Sequence, residues 1–238
     1  MTRVLLCDAD GCLFPSEEPA FVASTEVTNR LLAELGVDRH FTPQELQSYA
    51  VGKNFRATAT ELAAAHGTEI AGAALERWVE EERRAVIAHL RRELRPDPAV
   101  SEPLTRMAGR FALAVVSSSA LARLDACFAA TALETLFPPA SRFSAEDSLP
   151  VPTSKPDPAV YVLAGERLGV SGEEALAVED SVTGARSAVA AGFPTVGNVL
   201  FVPPAEREER SAALREAGAR AIVGSWAELD ELLLPAAV

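Results

Sequence analysis

The sequence predicts an α/β fold, a doubly wound parallel sheet interrupted by one all-helical insert, and three observations predict it. Short apolar runs that suit buried parallel strands recur at residues 4–7, 111–116, 175–178, 195–196 and 221–223. Helical stretches separate the later runs, at 121–130, 158–168, 183–191, 206–217 and 226–234, which is the alternation of a parallel α/β sheet. Between the first run and the second, residues 16–95 contain no good strand, far more chain than a crossover needs.

Taken in order, the first strand is Val4-Leu5-Leu6-Cys7, with Asp8 at its end. The insert offers helices at 26–35, 45–51, 55–65 and 73–94; in the last, Leu75, Val79, Val86 and Leu90 share one face. Glu80, Glu81 and Glu82 ahead of Arg83, Arg84, Arg91 and Arg92 read as a solvated helix face. Arg95-Pro96-Asp97-Pro98 marks the return to the α/β part, and Pro158 suits the first turn of its helix. The domains expected are therefore 1–15 with 96–238, and 16–95.

Composition narrows the function. With 238 residues and 48% hydrophobic content, the chain has enough apolar material for a full core. A net charge of -12 argues against a nucleic acid partner, which needs a basic surface. No apolar run approaches the roughly 18 residues of a membrane span, and Val4–Cys7 is too short for a signal peptide, so a cytoplasmic protein without a membrane partner is expected. Cys7, Cys12 and Cys127 form no CxxC pair, which suits reduced thiols, and His40, His66 and His89 are too scattered for a zinc site. The 22 basic residues are all Arg except Lys53 and Lys155, so either these two survive a bias toward Arg by chance or their places need a compact ammonium rather than a planar guanidinium.

Ligands of open α/β sheets sit beyond the carboxyl ends of the strands. Those ends read Asp8-Ala9-Asp10-Gly11, Ser117-Ser118-Ser119 and Glu179-Asp180-Ser181, and a loop before a helix supplies Ser154-Lys155-Pro156-Asp157. Singly, each has a bland structural explanation as a turn, a loop or a helix cap. Asp8-Ala9-Asp10-Gly11 is not an EF-hand loop, because its glycine comes at the fourth position and Pro19 stands where the bidentate Glu belongs. The chain has no GxxxxGK[ST], GxGxxG or GxSxG motif, which removes the main support for a P-loop, a dinucleotide fold or a serine hydrolase.

In this order the four elements resemble the motifs of the haloacid dehalogenase superfamily, and the insert resembles the helical cap of its β-phosphoglucomutase-like branch. Departures are mild: Cys7 stands where the family often has Phe, and Pro15 where it often has Asp. The resemblance implies a Rossmann-like core and a Mg²⁺-dependent phosphatase acting on a small phosphorylated metabolite. Asp8 would be the nucleophile that forms an aspartyl phosphate, and Asp10 the general acid and base. Mg²⁺ would be held by Asp8, the Asp10 backbone carbonyl and Asp180, with Glu179 alongside, while Ser117, the Ser118 amide and Lys155 take the phosphoryl oxygens. Asp10 points to phosphate chemistry, since dehalogenases of the superfamily typically lack this second Asp.

Gly52 and Lys53, between two expected cap helices, would lie in a substrate loop, although a solvated loop lysine is the plain alternative. The competing enzyme is a sugar phosphomutase. Such mutases carry a His where this chain has Ala20, and an Arg three residues after a cap Gly, whereas Gly52 is followed by Lys53-Asn54-Phe55. A receiver-like signalling domain fits poorly, being about half this length and lacking a cap. A silent binding protein on the same fold would have little reason to keep all four elements.

Overall fold

A computed structural model describes residues 2–50 and 54–234. The chain divides into two compact units, Met1–Pro15 with Leu94–Val238, and Ser16–Glu93.

The first unit holds a parallel sheet of six strands in the order β3-β2-β1-β4-β5-β6. The strands are β1 (Val4–Cys7), β2 (Ala112–Ser117), β3 (Arg142–Ser144), β4 (Ala175–Glu179), β5 (Thr195–Asn198) and β6 (Ala221–Val223). Every residue of β1 and β4 is buried. Val4 and Leu6 join Val116, Tyr161, Ala177 and Phe193 in one apolar cluster. Leu5 and Cys7, which the two-residue strand period sends to the opposite face, are wholly buried too. Helices therefore cover both faces, and the continuous apolar runs follow from that. The strand order reverses beside β1, whose neighbours are β2 and β4. Cys7 pairs with Val115 and with Val178, so Asp8, Ser117 and Glu179 emerge at the same edge of the sheet.

The second unit contains, among its described residues, helices α1 (Glu17–Glu34), α2 (Pro43–Tyr49), α3 (Phe55–Ala65) and α4 (Gly72–Glu93), and no strand. Val27, Leu31, Ala59 and Trp78 form one core, and Leu32, Phe41, Leu46 and Leu62 another. Thr42 and Glu45 close a reciprocal capping box on α2, and Asn54 caps α3.

Three elements differ from the sequence expectation. α1 begins at Glu17, nine residues before the start expected at 26, because its buried positions include Ala20, Ala23, Thr25 and Thr28, which leave no apolar stripe to read. Helix α5 (Pro98–Ala108) was not anticipated, since it contains Pro103; Pro98 opens it and Asp97 caps it by accepting from the Ala99 amide. The edge strand β3 was missed because it is three residues long and starts with an arginine. Burial of Arg142 is made tolerable by Asp125 at 2.5 Å and the Phe137 carbonyl at 2.8 Å. The remaining helices of the sheet unit are α6 (Leu121–Thr131), α7 (Ala159–Leu168), α8 (Val182–Ala190), α9 (Arg207–Glu216) and α10 (Trp226–Leu232). Pro158 stands at the N-cap of α7 rather than inside its first turn. Among the described residues no helix is long and apolar enough to cross a membrane.

Candidate active site

β1 delivers the first carboxylate. The Asp8 amide donates to the Val178 carbonyl at 2.9 Å, which extends the pairing of β1 with β4 by one residue and fixes the backbone from which the side chain projects. The chain then turns at Gly11, whose φ of +77° favours glycine, and a Cβ there would run into the Asp180 carboxylate. Trp226 steadies the turn by donating from Nε1 to the Cys12 carbonyl at 3.1 Å.

Lys155 is the centre of the cluster. Its ammonium donates to Asp8 Oδ1 at 2.5 Å, to Glu179 Oε1 at 2.6 Å and to the Val116 carbonyl at 2.7 Å. Its side chain is only 5% exposed, so the sequence-distant ends of β1, β2 and β4 are joined by one buried cation. The Lys155 amide also donates to Ser118 Oγ at 3.1 Å, which ties the lysine loop to the β2 end. Glu179 is fully buried and receives a further donor, the Tyr161 hydroxyl at 2.5 Å. Burial pulls the Lys155 ammonium toward neutrality, but Asp8 and Glu179 outweigh it and hold the lysine charged above its ordinary value. Burial drives Asp8 up to about 8, because one ammonium shared between two carboxylates only partly offsets the loss of water, and Glu179 adds repulsion.

Carboxylate oxygens of Asp8, Glu179 and Asp180 lie within 4.8 Å of one another. Two glycines leave room for them: Gly11 beside Asp180, and Gly184, where a Cβ would collide with the Glu179 carboxylate. The carboxylates of Asp8, Glu179 and Asp180 cluster around the Lys155 ammonium, and that of Asp10 is met by Arg123. This hard, oxygen-only donor set with an excess of negative charge fits a divalent cation such as Mg²⁺. Ser181 caps α8 by accepting from the Gly184 amide at 3.1 Å, and Arg210 donates to the Asp180 carbonyl at 3.0 Å, so the Glu179-Asp180-Ser181 segment is held at both its side chains and its backbone.

Ser117 closes β2 and is buried, with its hydroxyl accepting from the Ser119 amide at 3.0 Å. Asp10 lies at the same junction. Its Oδ2 accepts from the Ser119 hydroxyl at 2.6 Å and its Oδ1 from Arg123 at 2.7 Å. The structure thus gathers Asp8, Asp10, Ser117, Ser118, Lys155, Glu179 and Asp180 at one end of the sheet. Gly52 and Lys53 lie outside the described residues. Sequence reasoning missed Ser119, Arg123, Tyr161 and Arg210 as site partners. Arg123 carried one usable signal, a charge in the first turn of the helix that follows a site-bearing strand end, whereas nothing local marks Tyr161 as a partner of Glu179.

Fold and site together define a Rossmann-like α/β enzyme core with an acidic crevice at the strand carboxyl ends. The haloacid dehalogenase-like hydrolase family model matches residues 2–192, and the chain belongs to that family. It is therefore an enzyme of the hydrolase class, with which the phosphoric monoester hydrolase expected from the motifs is consistent. Protein CbbY of Cereibacter sphaeroides is 30% identical over 244 residues, covering 98% of this chain and 96% of the relative. Two Arabidopsis thaliana relatives, a haloacid dehalogenase-like hydrolase domain-containing protein and a CBBY-like protein, are 50% identical over 46 residues, a match that spans only 15% and 14% of their lengths. Among solved structures, a mutant CbbY from Rhodobacter sphaeroides in complex with xylulose-(1,5)bisphosphate superposes with a TM-score of 0.71 at 25% identity, over 96% of both chains. A family hydrolase from Deinococcus radiodurans R1 with bound phosphate and sodium gives a TM-score of 0.67 at 26% identity, over 99% of both chains.

Proposed function

We propose that this protein is a Mg²⁺-dependent phosphatase that hydrolyses a small phosphorylated metabolite, a sugar phosphate before other classes, through an aspartyl phosphate on Asp8. The observation that carries the reading is the buried Lys155 ammonium bridging Asp8 and Glu179 beside Asp180. That arrangement supports the reading because a carboxylate beside a compact cation could attack and neutralise one phosphoryl group. Sugar phosphates are favoured because the CbbY relative was solved with a sugar bisphosphate.

In the first step an Asp8 carboxylate oxygen attacks phosphorus, the bond to the leaving oxygen breaks, and Asp10 delivers a proton to that oxygen. In the second, Asp10 takes a proton from water as the water oxygen attacks phosphorus; the bond to Asp8 breaks and inorganic phosphate leaves. Lys155, the Ser117 hydroxyl and the Ser118 amide would neutralise and orient the phosphoryl oxygens in both steps. Asp8, Glu179, Asp180 and the Asp10 carbonyl would hold Mg²⁺, which supplies charge neutralisation for the transferring group. The domains proposed are a catalytic core of 1–15 with 96–238 and a cap of 16–95.

A panel of phosphorylated metabolites, assayed with Mg²⁺ for inorganic phosphate release, tests the reading. Release that stops in excess chelator and is abolished in Asp8→Asn is the expected result. Full turnover in chelator, phosphoenzyme formation by Asp8→Asn, or isomerised sugar phosphate in place of inorganic phosphate would each overturn it.

A further inference from the structure

The proposed proton transfers require the Asp10 carboxyl to reach the leaving oxygen and then the attacking water, to within about 2.6–3.2 Å each time. Asp10 follows β1 by only three residues and precedes the Gly11 turn, outside the regular strands of the sheet. Both of its oxygens are nevertheless engaged, Oδ1 by Arg123 at 2.7 Å and Oδ2 by the Ser119 hydroxyl at 2.6 Å. The Arg123 and Asp10 side chains are 26% and 17% exposed, more enclosed than a surface ion pair that salt and water would screen. The two donors come from the β2–α6 junction, the same segment that carries Ser117 and Ser118. That junction is braced from outside: Ala120 offers α6 no side-chain cap, and Asp147 supplies one by accepting from the Leu121 amide at 2.6 Å.

We propose that Arg123 is a positioning residue for the reaction, which with Ser119 sets the orientation of Asp10 for proton transfer. This rests on the reading of Asp10 as acid and base. The two donors are chemically unequal. A guanidinium can only donate, so Oδ1 remains an acceptor throughout, whereas the Ser119 hydroxyl can turn and accept. Oδ2 is thus the oxygen that carries the proton in the first step and receives one in the second, and Arg123 prevents the carboxyl from rotating to exchange the two.

The test compares two phosphate esters of similar size with Mg²⁺ present, benzyl phosphate, whose alkoxide must be protonated, and 4-nitrophenyl phosphate, whose phenolate leaves with little help. Their kcat/KM values report the first transfer in the native chain, Arg123→Ala, Arg123→Lys and Asp10→Asn. Misplacing a catalytic group by about 1 Å can cost roughly 100-fold, so Arg123→Ala should lower kcat/KM for benzyl phosphate by roughly 10- to 100-fold and that for 4-nitrophenyl phosphate by less than about threefold. Arg123→Lys, which can still donate to Oδ1, should regain most of the loss. Equal falls on both esters in Arg123→Ala, or no fall on either, would overturn the inference, as would failure of Arg123→Lys to rescue. Asp10→Asn separates the two levels: if it too reduces both esters equally, the acid-base reading fails, and if only Asp10→Asn discriminates between them, the Arg123 inference fails alone.

Discussion

Replacing Lys155 by Met removes the charge and keeps a flexible chain of similar bulk. Three hydrogen bonds go with it, to Asp8, Glu179 and the Val116 carbonyl, at 2.5, 2.6 and 2.7 Å. Glu179 is fully buried and cannot recruit water, so its carboxylate would stand beside those of Asp8 and Asp180 with only the Tyr161 hydroxyl donating to Oε1. Deleting one member of a buried ion pair costs about 3–5 kcal/mol. In chains of this length 1 kcal/mol moves the midpoint by about 2–4 °C, so the metal-free sheet unit should melt roughly 6–20 °C lower. Calorimetry in chelator reads the shift. A second scan with Mg²⁺ should recover more stability in Lys155→Met than in the native chain, because the variant's acidic cluster lacks one cation and gains more from a divalent one. Activity should be lost on every phosphate ester, 4-nitrophenyl phosphate included. A midpoint within about 2 °C of the native value would refute the reasoning, since an ammonium that joins three strand ends cannot be removed at so little cost.

Asp8→Asn tests the same cluster through pH. The native Asp8 carboxyl is raised from 3.8 to about 8, so its contribution to stability is complete below 3.8 and is lost as pH climbs through about 8. In chelator, the melting point of Asp8→Asn should therefore gain on the native one between about pH 5 and pH 8, and a gap that narrows over this range would contradict the assignment. Gly184→Ala would push a Cβ into the Glu179 carboxylate, so overpacking of about 1–3 kcal/mol is expected, together with weaker Mg²⁺ binding by titration calorimetry; unchanged affinity would count against Glu179 as part of the metal cluster. Tyr161→Phe keeps the buried ring but withdraws the hydroxyl from Glu179, for an expected loss of about 1–3 kcal/mol in urea denaturation, and no loss would mean that Lys155 alone satisfies that oxygen.

The sequence by itself determined the sheet's central strands and which polar residues stand at their ends. Residues 4–7 and 175–178 are uninterrupted apolar runs because the strands are covered on both faces, and that pressure is visible in one dimension. The polar residues that follow them could be read as a site because parallel strands all present their carboxyl ends to the same edge. Elements without an apolar period escaped: β3, three residues opened by Arg142, and α5, with a proline inside it. Only the tertiary structure decided which donors complete each carboxylate. Arg123 and Ser119 meet Asp10 across more than a hundred residues, and Tyr161 meets Glu179 from a helix packed under the sheet. No local pattern encodes such pairs, because a side-chain hydrogen bond depends on where two separately folded segments come to rest, within a few tenths of an ångström. Sequence periodicity fixes only the face that each segment turns inward.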